Sequence, residues 1–208
     1  MNGFYGFCVY VGYFFLVLNV ALYTISFFRG KKANGFFMAY LYFYFIMNAI
    51  MHVLYLLHKD NLIVMNFFFI GDMVWMGLFY ASILKNKMQI KIVKSILMFV
   101  LLLLLVQIAS DSSQLFKFNL FEIAITCLAT ILFALMHLYN MLTNKKVYYF
   151  FTIGLIFYLC SSTILYLVGG LTINLSDSMK LITWNLNAIL FVIYQLFILY
   201  EWKVSFKK

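Results

Sequence analysis

Asp72 is the residue from which any chemistry in this sequence must start. It is the only acidic residue deep inside an apolar stretch, ten residues into Leu62 to Leu84. At 1.5 Å of rise per residue that is ~15 Å from the start of the stretch. An acid at such depth in hydrocarbon costs roughly 2.5–3.5 kcal/mol on insertion scales, so it must be protonated or have partners. Antiparallel pairing with the preceding stretch predicts Asn48 at nearly the depth of Asp72. His52 then lies one turn farther out on the same face, and Tyr55 continues the stripe. Ser161, Ser162 and Thr163 fall roughly 8–11 Å below the outer end of a later stretch. Thr183 and Asn187 share one face of the last stretch, Asn185 lies on another, and Gln195 continues the first face deeper. Polar groups from four segments are thus expected to line an outward-opening pocket: Asp72, Asn48, His52, Ser161, Ser162, Asn185 and Asn187.

Such a pocket suits hydrogen bonding to a small amphiphilic ligand or a partner helix. Catalysis is the other use. Asp72 and His52 could act as an acid–base couple, with Ser161 or Ser162 as nucleophile. No second carboxylate shares the depth of Asp72 for paired-acid hydrolysis, and no GxSxG elbow frames the serines. Metal ligation would need more His, Cys or carboxylate groups than these, and no cofactor is expected. Singly, Ser, Thr and Asn also read as helix-to-helix glue, contributing about 0.6 kcal/mol per hydrogen bond in membranes. A thinner inner group comprises Asn19, His137, Asn140 and Gln195, of which His137 and Asn140 read as interfacial or packing residues. Tyr148, Tyr149, Tyr200 and Trp202 read as an aromatic belt.

The elements that position these residues follow from composition. Of 208 residues, 66% are hydrophobic and 10% charged, and the mean hydropathy is +1.01. Soluble domains carry about 45–50% apolar and about 25% charged residues, so a soluble globule is excluded. A single domain of seven membrane-spanning helices is expected, because spanning takes about 20 apolar residues. The stretches are Phe4 to Phe28, Gly35 to Leu57, Leu62 to Leu84, Ile92 to Ala109, Leu120 to Leu142, Val147 to Val168 and Leu181 to Trp202. The fourth is the shortest and needs Lys94 to snorkel. Runs such as Met98 to Val106 do not alternate, which excludes a transmembrane barrel. No basic segment precedes the first stretch, which is too long for a signal's apolar core and is expected to remain as a span.

Short polar links make successive helices antiparallel, and charge then orients them. Arg29, Lys31, Lys32, Lys85, Lys87, Lys91, Lys94, Lys145, Lys146, Lys203, Lys207 and Lys208 fall on one side, with Glu201. Only Lys59, Lys117 and Lys180 fall on the other, with Asp60, Asp111, Glu122 and Asp177. The N-terminus is expected outside and the C-terminus inside, in a bacterial inner membrane. The net charge of +9 is then topogenic charge beside anionic headgroups, and no nucleic-acid partner is expected. Cys8, Cys127 and Cys160 lie in apolar runs without metal or disulfide spacing and read as small buried thiols. With no proline, proline kinks are excluded. The last stretch has lysines only at its ends, Lys180 and Lys203, so a retinal Schiff base is excluded too.

The segment Phe69-Ile-Gly-Asp-Met-Val-Trp-Met76 resembles the Gly-Asp stretch in a mid-chain span of the lysoplasmalogenase family. Gly154 to Ser162, and Tyr194-Gln195, are similar to that family's later motifs. The resemblance implies hydrolysis of a lysolipid vinyl ether with Asp72 as acid or base. The chain departs from the pattern at Ser162, where a second acid is expected, in lacking the lysine-proline motif near the second span, and in having seven spans rather than eight. Over most of its length the chain is similar to small seven-helix inner-membrane proteins of AT-rich bacteria. The features shared are Gly77-Leu-Phe-Tyr80 followed by lysines, the Trp184-Asn185 opening and the Glu201-Trp202-Lys203 exit. That resemblance implies an architecture and no reaction.

The function expected is therefore a multi-pass sensing or accessory protein that reads a small amphiphilic ligand or a partner helix around Asp72. Its basic inner face would meet a cytoplasmic partner, anionic lipid or a second copy. A lysoplasmalogenase-like lipid hydrolase is the alternative. An oligomeric pore or membrane effector, such as a defence-system accessory, is a third, although no ring of charge is visible.

Overall fold

The computed structural model describes residues 3–30, 33–142, 146–171 and 177–206. Lys31, Lys32, Lys145, Lys207 and Lys208 of the expected basic side lie outside the described residues, as do the side chains of residues 170, 171 and 177–180. The described residues form seven α-helices: α1 (Gly3–Phe28), α2 (Gly35–Leu56), α3 (Leu62–Ile83), α4 (Lys87–Ser110), α5 (Leu120–Asn140), α6 (Tyr149–Leu171) and α7 (Asp177–Ser205). A 3-10 turn, Ser112–Phe116, precedes α5. All seven helices are long and apolar enough to cross a membrane.

Asparagine caps open two of the helices. The Asn34 side chain accepts from the Phe36 and Phe37 N–H groups and opens α2. Asn86 accepts from the Met88 N–H and opens α4 five residues before its apolar run. Each cap satisfies N–H groups that the first helical turn leaves without partners. The fourth helix is accordingly not the shortest. It has 24 residues against 21 in α5, because hydropathy does not register its lysine-bearing first turns. Lys87, Lys91 and Lys94 are all exposed there.

The helices group into two compact units, residues 34–137 and residues 1–33 with 138–208. In the second of these, α7 packs against both α1 and α6. Helices α1 and α7 run parallel: Asn19 meets Gln195, Tyr23 meets the Ile198 carbonyl and Ser26 meets Trp202. Helix α6 runs antiparallel to α7, with Phe150 on Tyr200 at one end and Tyr166 on Asn187 at the other. Gly154 makes that approach close, since a Cβ there would overlap the Cβ and ring of Phe197.

In the other unit, α2 and α3 pair antiparallel from Asn34–Ser82 through Phe37–Phe79 to Tyr44–Phe68. Phe37, Tyr40, Phe79 and Tyr80 are buried and form its aromatic core. Phe133 of α5 reaches α3 at Gly77, and His137 of α5 is buried with its ring 5.6 Å from that of Tyr80. His137 is therefore a packing residue. Cys8 and Cys127 are buried as expected, but Cys160 is exposed. It falls on an outward stripe of α6 with Phe157 and Ile164, both exposed, because the 3.6-residue period opposes it to buried Leu159 and Ser162.

Replacing Gly154 with Val should destabilise by about 1–3 kcal/mol, the usual cost of overpacking. Gly3→Val, where a Cβ meets nothing within 4 Å, should be neutral. Thermal unfolding of both variants in detergent micelles checks this.

Candidate functional site

Asp72 is buried, with 8% of its surface exposed. None of the described residues hydrogen-bonds to its carboxyl group. It stands beside Gly71, where α3 lies directly on the Phe43 ring of α2; a Cβ on Gly71 would overlap that ring. Phe43 in turn stacks on Phe68, and Tyr44 meets Phe68 edge-on. The acid is therefore carried by a helix pair whose contact surface is aromatic.

This close approach sets the register, and the register separates two expected partners from Asp72. Phe43 lies opposite Gly71, and Asn34 opposite Ser82. Counting along the antiparallel pair from these contacts puts Asn48 ~6–9 Å, and His52 ~12–15 Å, farther along the axis than Asp72. Asn48 is half-buried, and its Nδ2 donates to the Tyr44 carbonyl one turn back at 2.8 Å. His52 is half-buried and stacks on Tyr55, ring centroids 6.4 Å apart. The i,i+4 stripe exists, but it does not reach the carboxylate. Equal span lengths would put Asn48 level with Asp72; the glycine contact shifts the pairing instead.

The other expected site residues belong to the second unit. The Ser162 hydroxyl is buried and donates to the Tyr158 carbonyl at 2.7 Å, so its proton is held in its own helix. Ser161 is half-buried. Asn187 donates from Nδ2 to the Tyr166 hydroxyl at 3.2 Å. Its Oδ1, Asn185 Oδ1 and Thr163 Oγ1 are buried without hydrogen-bond partners among the described residues. The end of the α6–α7 pair that carries Thr163 and Asn187 thus holds polar atoms able to accept from a further group. Toward the other end of this unit, Asn19 Nδ2 donates to both the carbonyl and Oε1 of Gln195, at 2.9 and 3.0 Å. The expected inner polar group is to that extent a buried amide pair between α1 and α7.

No protein-family model, curated protein or solved structure matches the chain.

Two acids that the sequence places at span ends are buried inside the fold. Glu201 is fully buried. Its Oε1 accepts from the Tyr148 N–H at 2.7 Å and from the Ser205 hydroxyl at 2.6 Å, and its Oε2 from the Phe150 N–H at 2.8 Å. A carboxyl group on the first N–H groups of α6 is favoured by the helix dipole as well as by hydrogen bonding. The clamp also holds Tyr148 at φ 58°, a left-handed conformation that a bulky residue adopts only when its surroundings compel it. Tyr148 is thus buried rather than part of an aromatic belt, and the Trp202 indole donates to Ser26 at 2.8 Å. The Glu-Trp-Lys exit is the one sequence signal that marked this corner.

Glu122 is the second such acid. It lies in the first turn of α5, is 1% exposed, and has a buried Oε1 without a hydrogen-bond partner among the described residues. The signal for it is Asn119 three residues earlier, an asparagine cap whose Oδ1 accepts from the Glu122 N–H at 3.2 Å. Asp111, in the link before α5, differs: hydrogen bonds from Ser113 and Gln114 hold its exposed carboxyl below the usual aspartate range.

Glu201→Ala should destabilise by about 1–3 kcal/mol, since it leaves buried N–H groups at the start of α6 without acceptors. Glu201→Gln, which keeps one acceptor, should lose less. Thermal unfolding in detergent, with far-UV circular dichroism to follow helix content, checks both.

Proposed function

We propose that this multi-pass membrane protein is a sensing or accessory module of a bacterial inner membrane, and that it binds a small amphiphilic ligand at Asp72. The observation that carries the reading is a buried carboxyl group on an aromatic helix pair with no hydrogen bond from the described residues. Keeping a polar group in such a place without a partner is costly. A ligand with a hydrogen-bond donor in its head and a hydrocarbon tail supplies what the carboxyl lacks, and the bilayer is a reservoir of such molecules.

Two observations favour binding over lysolipid hydrolysis. The Ser162 hydroxyl donates to its own helix, which is the opposite of a nucleophile held by a base. His52 lies ~12–15 Å along the helix pair from Asp72, beyond the reach of an acid–base couple. The N-terminus is outside and the C-terminus inside, as the excess of Lys and Arg on one set of links supports.

Purified protein should unfold at a higher temperature with lipid extract than without it, and Asp72→Asn should lose most of that increment. No lipid-dependent shift in either protein removes the ligand reading. Turnover of lysolipids that Asp72→Ala abolishes would replace it with the hydrolase. For orientation, a reporter active only in the cytoplasm should be active when fused after Lys208. A reporter active only outside should be active there if the orientation is reversed.

A further inference from the structure

We propose that Glu122, with Asn66, Gln107 and Asn119, forms a binding site for a small monovalent cation, Na+. The four side chains come from α3, α4, the link before α5 and the first turn of α5, all within one compact unit. All of them are tied to, or lie on, the single segment 114–122. Asn66 Nδ2 donates to the carbonyls of Gln114, Leu115 and Lys117 at 3.3, 3.0 and 3.2 Å. Gln107 Nε2 reaches Asn119 Oδ1 at 3.4 Å, and the same oxygen accepts from the Glu122 N–H.

These bonds fix which end of each amide is which. With both nitrogens committed, Asn66 and Gln107 turn oxygens toward whatever remains. Asn66 Oδ1, Gln107 Oε1 and Glu122 Oε1 are all buried and have no hydrogen-bond partner among the described residues. The one unpartnered donor of the group is Asn119 Nδ2, so acceptors exceed donors by three to one. Buried polar atoms are almost always paired, and a cluster of exceptions points to a water or an ion. The excess of oxygens and the carboxylate select a cation over a neutral donor. Lys117, the basic residue of this segment, is exposed, and its ammonium group donates to Ser113 Oγ at 2.7 Å. Oxygen-only ligands suit hard ions. A single carboxylate among neutral amides suits one positive charge rather than the two of Ca2+, whose sites gather several carboxylates.

The test is thermal unfolding of the full chain in detergent at fixed pH and ionic strength, in Na+, K+ or N-methylglucamine chloride. The midpoint should rise with Na+ concentration and stay flat in N-methylglucamine. Glu122→Gln, similar in shape but neutral, should abolish the rise, and Gln107→Leu should move it to higher Na+. Asp72→Asn should leave it intact, which separates this site from the ligand reading. A midpoint indifferent to Na+ means that Glu122 holds a proton or a water instead, and overturns the proposal. So does a Na+ response that persists in Glu122→Gln. Should Glu122→Gln fail to fold, an unchanged Na+ response in Gln107→Leu overturns it.

Discussion

A polar group inside a hydrocarbon layer has no water to fall back on, and each one here must find its partner in the chain or in something the chain binds. That constraint sorts the buried acids into three kinds. Glu201 is fully answered: backbone N–H groups and a hydroxyl converge on both its oxygens. Glu122 lies on a segment tied to three amides, where three buried oxygens and one donor, Asn119 Nδ2, have no hydrogen-bond partner among the described residues. Asp72 is buried with no hydrogen bond from the described residues, on a helix pair lined by rings. The first is structural because it is satisfied. The other two carry the functional proposals because they are not.

The helix contacts follow from the same constraint and from size. Without a hydrophobic drive between spans, association depends on close packing and a few hydrogen bonds. Gly71 lets α3 lie on Phe43, and Gly154 lets α6 lie on Phe197. Asn19–Gln195 and Ser26–Trp202 then pin α1 against α7 in parallel register. Six links, an even number of reversals, separate the two helices, which agrees with their parallel pairing.

Much of the architecture was legible in the chain. The seven apolar stretches match the helices to within a few residues at most ends, and they diverge where capping chemistry intervenes, as at Asn86 and α4. The site was less legible. Asp72 stood out because an acid in an apolar run is conspicuous whatever surrounds it. Glu201 and Glu122 did not, because their positions near span ends read as solvent-facing charge. Only the fold shows Tyr148 and Asn119 folding back over them. Asn48 and His52 were assigned to Asp72 by assuming spans of equal length set level with one another, an assumption that glycine packing defeats.

Sequence by itself determined the all-helical class, the number of apolar spans and the uneven spread of Lys and Arg among the links. These depend on quantities local to each segment: hydropathy summed over a span, and Lys or Arg counted in a link. Tertiary structure decided the register of α2 on α3, the burial of Glu201 and Glu122, and which amide atoms remain without partners. Those depend on where a glycine admits a ring and how a link folds over a helix end, and neither is a property of any one stretch of residues.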